Sequence, residues 1–146
     1  MITKTGVILA AGRGQRLDIT NTIKPLIRIG NEQLIIRSIK SMQDVDINKI
    51  YIVVGYKAEI LKKELVGNSA ITAEIIIIHN QRWGEGIHTS LLCLKNTVKD
   101  RFYLSVCDIV SETNLYNIFS EKIKDNTGIA CLLQKFEDQI EFSGAT

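Results

Sequence analysis

The chain has one proline, one tryptophan, two histidines and three cysteines among its 146 residues, and each scarcity excludes something. With Pro25 as the sole proline and no low-complexity linker or internal repeat, one domain is the economical reading. His79 and His88 stand too far apart to suggest a histidine metal site, and no Ser/His/Asp or Cys/His constellation offers a nucleophile. Cys93, Cys107 and Cys131 are odd in number and lack metal-ligand spacing, which argues for reduced thiols used as small apolar core residues. The longest apolar runs, such as Ile75 to Ile78, fall far short of the ~20 residues of a membrane helix. The opening MITKTGVILAAG runs from a brief apolar stretch straight into glycine, unlike a signal peptide. The formal net charge of +2, with no dense basic run, is too small to suggest a nucleic-acid or membrane surface. A cytoplasmic protein with neither kind of partner is expected.

What is present is ordinary for a folded domain: 45% hydrophobic and 23% charged residues, enough for a core. Strand and helix patterns alternate. Strands are expected at Thr5 to Ala10, Lys49 to Val54, Ala73 to His79, Arg101 to Val106 and Gly128 to Gln134. Between them, Asn31 is expected to cap a helix through about Met42, with Ile35, Ile39 and Met42 on one face. Lys57 to Val66 aligns Ala58, Leu61 and Leu65, and Ile87 to Val98 aligns Ile87, Leu91, Leu94 and Val98. Ser111 or Thr113 is expected to cap a last helix with Leu115, Ile118, Phe119 and Ile123 inward. Continuous apolar strands alternating with amphipathic helices imply a mostly parallel sheet covered on both faces. Asp44, Asp46 and Asp125 read as solvated loop residues, and Trp83 as a cover for the core's edge. The ending Gly144-Ala145-Thr146 does not read as a domain's natural stop, so a chain cut short is expected.

The most informative segment is VILAAGRGQRL, Val7 to Leu17, followed by Lys24 and Pro25. Ligands of open α/β sheets bind beyond the carboxyl ends of strands. Glycines there let backbone amides approach an anion, and Arg13 and Arg16 add forked donors suited to phosphate oxygens. The segment lacks both the GK[ST] ending of a P-loop and the acidic residue of a dinucleotide fold.

LAAGRGQRL followed by KPLIRIG resembles the signature of nucleotidyltransferases that join a nucleoside monophosphate to a phosphorylated sugar, alcohol or cofactor. The resemblance continues through YIVVGYKAEIL, AEIIIIHN, GEGIHTSLLCLKN and DRFYLSVCDIV. KNTVKDRFYLSVCD and EFSGAT look most like archaeal inositol-1-phosphate cytidylyltransferases, phosphocholine cytidylyltransferases are also similar, and NQRWGEGIHTSL resembles the NPxWxxGMxxSL of molybdenum-cofactor nucleotidyltransferases.

The resemblance implies a Rossmann-like three-layer α/β/α sandwich and Mg²⁺-dependent nucleotidyl transfer, with CTP favoured and inositol-1-phosphate as the acceptor. Sugar-1-phosphate or molybdopterin transfer, and a nucleotide-binding module without turnover, stay open as alternatives, as does a homodimer. It assigns the nucleotide to Leu9, Ala10, Ala11, Gly12, Arg13 and Gly14, with Gly86, Thr89 and Ser90 closing over base and ribose. For Thr89 and Ser90 the equal alternative is a helix start that satisfies its own amides. Arg16, Lys24 and Asp108 are the implied catalytic residues, with Asp108 the Mg²⁺ ligand. Family members carry glycine where this chain has Cys107, which questions close backbone approach there. A second metal aspartate and most acceptor-binding residues are implied to lie beyond this chain.

Overall fold

The first strand decides the architecture. Val7, Ile8, Leu9 and Ala10 carry no polar side chain, so a strand containing them is stable only with both faces covered. The computed structural model describes residues 3–14, 22–111, 114–122 and 129–131. In chain order these form β1 (Thr5–Ala10), a short turn of 3₁₀ helix (Lys24–Leu26), β2 (Arg28–Ile29), β3 (Glu32–Gln33), α1 (Leu34–Gln43), β4 (Lys49–Val54), α2 (Ala58–Leu65), β5 (Glu74–His79), a second 3₁₀ turn (Trp83–Glu85), α3 (Ile87–Leu92), β6 (Phe102–Val106) and α4 (Leu115–Lys122).

β1 lies inside a four-stranded parallel sheet of order β5-β4-β1-β6. Its side chains alternate between two cores, as a period of two requires. Ile8 and Ala10 join Ile35, Ile39 and Met42 of α1 and Leu61 and Leu65 of α2, with Tyr116 and Phe119 of α4 packed alongside. Val7 and Leu9 join Val53 and Leu94 on the opposite face, beside Trp83 and Val98. The chain extends the sheet from β1 to β4 to β5, then returns across β1 to lay down β6. Strand order therefore reverses between β1 and β6, and at such a reversal the two following connections diverge and leave a crevice at the strands' carboxyl ends.

The four strands of the parallel sheet lie within one residue of the expected ones, β2 and β3 were not expected, and α2 buries Ala58, Leu61 and Leu65 as expected. Elsewhere tertiary structure overrides the pattern. Asn31 caps no helix: it turns the β2–β3 hairpin with Gly30, and α1 begins at Leu34 after Gln33. The apolar stripe at Ile87, Leu91, Leu94 and Val98 does not form one buried face. α3 ends at Leu92, Ile87 and Leu91 are exposed, and Thr89 and Ser90 are buried instead. The cause is a buried polar partner, Asn80, described below. α4 is capped by Asn114, whose Oδ1 accepts the Tyr116 N–H at 3.0 Å, and Ile118 of that helix is exposed. Ile129 to Cys131, within the expected last strand, carry no regular structure, and Cys131 is exposed. Thr113, Ile123 and the rest of that strand lie outside the described residues, as does Asp125. No helix among the described residues is long and apolar enough to cross a membrane.

Candidate functional site

The crevice between β1 and β6 is lined from three directions. β1 delivers the loop Ala11–Gly14. Ala11 is still buried, whereas Gly12 and Arg13 are exposed. A Cβ placed on Gly12 would meet nothing within 4 Å among the described residues, so the space beside this glycine is open. Leu9 and Ala10 send their side chains into the two cores, and the Leu9 carbonyl accepts the Cys107 N–H at 3.2 Å.

Lys24 comes from the short turn Lys24–Leu26. Buried Ile23 and Pro25 anchor its backbone on either side, and Pro25, the second residue of the turn, has no N–H to leave unpaired there. Asp108 comes from the end of β6. The two meet: the Lys24 ammonium and the Asp108 carboxylate form an ion pair, each side chain about one-third exposed. Cys107, just before Asp108, is turned into the core with Ile8 and Ile35. Its carbonyl accepts the Ser38 hydroxyl at 3.4 Å, and burial, then the neighbouring Asp108 charge, pushes its thiol up to about 12. The Cys107 side chain is thus housed on the core side.

Across the loop stand Gly55, Tyr56 and Trp83. Gly55 ends β4 where a side chain has no room: a Cβ would lie 2.5 Å from the Trp83 Cβ and 2.8 Å from the Ala11 carbonyl. That carbonyl accepts the Tyr56 N–H at 3.0 Å, which clips the first loop to the end of β4. The Arg13 guanidinium lies 5.6 Å from the Tyr56 ring centroid, within cation–π range. Trp83 tilts against the same ring at 5.2 Å.

The second glycine segment rests on Asn80, which is 1% exposed. The Asn80 amide donates to the hydroxyls of Thr89 at 2.8 Å and Ser90 at 3.0 Å, and its Oδ1 accepts the Arg82 N–H at 2.9 Å. The Thr89 hydroxyl in turn donates to the carbonyls of Arg82 and Gly86. These two side chains hold the segment in shape, and their hydroxyls are engaged within the protein. Gly86, at φ 115° and ψ 165°, has backbone angles that a side chain would not tolerate. The exposed Arg82–Glu85 pair closes the turn at 2.6 Å, and the Arg82 hydrogen bond holds the Glu85 carboxyl below its usual range.

The geometry therefore brings Gly12, Arg13, Gly14, Lys24 and Asp108 to one crevice, while Arg16 lies outside the described residues. Gly55, Tyr56 and Asn80 lie in the motifs YIVVGYKAEIL and AEIIIIHN but were assigned no site role from sequence. Gly55-Tyr56 at a strand's carboxyl end is a signal of the same kind as Gly12-Arg13. Asn80 gives no sign of its role by periodicity, because its partners Arg82, Thr89 and Ser90 meet it only once the connection from β5 to α3 folds back.

Residues 6–140 match the MobA-like NTP transferase domain. The chain belongs to that family. The family membership agrees with the resemblance read from LAAGRGQRL and KPLIRIG. Among curated relatives of this MobA-like domain, a UTP–glucose-1-phosphate uridylyltransferase of Haloferax volcanii is 25% identical over 133 residues, covering 90% of this chain and 54% of the relative. A bifunctional IPC transferase and DIPP synthase of Aquifex aeolicus is 31% identical over 130 residues, 88% of this chain and 29% of the relative. This MobA-like chain thus spans about half or less of these relatives' lengths. Its fold is similar to that of a putative glucose-1-phosphate thymidylyltransferase of Bacillus anthracis (TM-score 0.69, 23% identity, 82% of this chain and 50% of that one). It is also similar to that of the inositol-1-phosphate CTP transferase of T. maritima (TM-score 0.63, 21% identity, 73% and 44%).

Proposed function

We propose that the crevice between β1 and β6 binds a nucleoside triphosphate, with CTP favoured, and supports nucleotidyl transfer to a phosphorylated alcohol such as inositol-1-phosphate. The observation that carries this reading is the Lys24–Asp108 pair beside an exposed glycine loop at the reversal of strand order. A phosphate oxygen of the acceptor attacks the α-phosphorus of the triphosphate, that phosphorus keeps the new P–O bond, and pyrophosphate leaves. Such a displacement asks the protein mainly for positioning and charge neutralisation.

The exposed backbone from Gly12 to Gly14 would cradle the β- and γ-phosphates, with the guanidinium of Arg13 and that of Arg16 beside them. Lys24 would neutralise charge near the attacked phosphorus. The single carboxylate of Asp108 fits a Mg²⁺ ion that keeps most of its waters and takes its other oxygens from substrate phosphates. Among the described residues no cluster of three acidic, histidine or cysteine side chains offers a fuller cage. When bound, the ion would spread the charge of the triphosphate. Lys24, now paired with the same carboxylate, would turn its ammonium to the phosphates. Gly86 would admit the nucleotide's base and ribose past its backbone, with Thr89 and Ser90 holding the segment in place.

Relatives named for IPC transfer and the fold neighbour named for inositol-1-phosphate CTP transfer support the cytidylyl reading. The uridylyltransferase relative supports a sugar-1-phosphate acceptor as the second reading. Pyrophosphate release with Mg²⁺ separates them when CTP, UTP, GTP and ATP are each paired with inositol-1-phosphate and with glucose-1-phosphate. Preference for CTP with inositol-1-phosphate is expected. Preference for UTP with glucose-1-phosphate would replace the first reading with the second, and calorimetry showing no binding of any triphosphate would sink both.

A further inference from the structure

We propose that Tyr56 is a positioning residue whose ring holds the Arg13 guanidinium at the mouth of the Gly12 loop. The inference rests on the reading of that loop as a phosphate cradle and names a residue outside it as the one that sets its charge in place.

Arg13 sits on an exposed loop, and a long exposed side chain loses rotamer freedom when it is held in one place. Something must hold it if it is to meet a phosphate without that loss. No carboxylate does so among the described residues; the Tyr56 ring lies 5.6 Å from the guanidinium carbon. The ring itself is fixed from three sides. Its backbone N–H is bonded to Ala11, two residues before Arg13, so ring and guanidinium belong to one clipped unit. Trp83 packs against it at 5.2 Å, seated there because Gly55 has no side chain. Lys57 follows in a left-handed conformation, φ 50° and ψ 40°, that sets its ammonium 5.4 Å from the same ring. Two cations thus share one aromatic face system, and neither forms an ion pair with a described residue. A ring attracts a cation without neutralising it. Arg13 is held while its donors stay free for an anion, which a carboxylate partner would prevent.

The test is a double-mutant cycle read by calorimetric affinity for CTP with Mg²⁺ and, separately, for inorganic triphosphate. Y56L is expected to weaken both by about three- to tenfold, and Y56F, which keeps the ring, to bind within about twofold of the unsubstituted protein. In the R13Q background, Y56L is expected to cause no further loss. Stepwise fluorination of the phenylalanine introduced by Y56F drains the ring face without changing its packing. Affinity should fall with each fluorine when Arg13 is present and stay level in R13Q. This series decides the matter even where Y56L does not fold. Equal losses from Y56L or fluorination with and without Arg13 would overturn the inference alone. Failure of the unsubstituted protein to bind either ligand would overturn the phosphate-cradle reading and this inference with it.

Discussion

Lys24 and Asp108 meet across the crevice as an ion pair although one belongs to the turn after the first loop and the other to the end of β6. Only the parallel pairing of β1 with β6 sets these segments side by side. Because each side chain is about one-third exposed, the pair adds at most about 1 kcal/mol to stability. On the proposed reading, its value lies in placing a cation and an anion ready for a charged ligand. K24M and D108N are each expected to leave the thermal midpoint nearly unchanged while lowering pyrophosphate release by ~100-fold or more. D108N is also expected to remove the Mg²⁺ dependence of CTP binding. A large fall in midpoint with intact binding would mark the pair as structural.

Gly55 sits under tighter steric control than any loop glycine of the site. A methyl group there would press into Trp83 and the Ala11 carbonyl. G55A is expected to destabilise the fold by about 1–3 kcal/mol in urea denaturation. It should also shift the emission of Trp83, the sole tryptophan. An unchanged denaturation midpoint would show that the two loops separate freely.

Asn80 makes three hydrogen bonds at the root of the second loop, two of them buried and one half-buried. N80A would leave the hydroxyls of Thr89 and Ser90 and the Arg82 N–H short of a partner, an expected cost of about 1–3 kcal/mol. N80D should cost at least as much, since a carboxylate cannot donate to the two hydroxyls. Equilibrium denaturation of both variants checks this. A stable N80A would mean that water takes over the amide's role.

The Cys107 thiol is lifted from its ordinary value of 9.0 to about 12, chiefly by burial. The folded state thus keeps its proton where the unfolded chain releases it. This contribution to stability is fully present below pH 9 and is lost progressively as pH rises from about 9 to 12. C107A should show a flatter decline across that window. At pH 8, a disulfide reagent is expected to modify exposed Cys131 readily and Cys107 only on unfolding. Fast modification of Cys107 in the folded protein would contradict its place in the core.

Much of this molecule was legible before folding, for a local reason. The strands at Thr5 and Lys49 are near-continuous apolar runs, and a run of that kind has few stable settings other than an inner parallel strand, whereas the equally apolar run at Glu74 forms the half-buried edge strand β5. The places of Gly12-Arg13 and Asp108 just after β1 and β6 were legible because each follows an apolar run that reads as a strand. The α3 stripe misled because periodicity counts apolar residues and cannot see that Asn80 pulls Thr89 and Ser90 inward. Asn31 misled because a residue fit to cap a helix is equally fit to turn a hairpin.

By itself, then, the sequence determined the kind of sheet, the positions of its strands and the chemical character of the first loop, since these follow from backbone sterics and hydrophobic spacing within a few residues. Tertiary structure alone decided that Lys24 faces Asp108, that Tyr56 receives Arg13 and that Asn80 organises the second loop. The first two contacts join segments far apart in the chain and depend on strand order, which no local pattern encodes; the third spans only 9 and 10 residues, but needs the connection from β5 to α3 to fold back on itself.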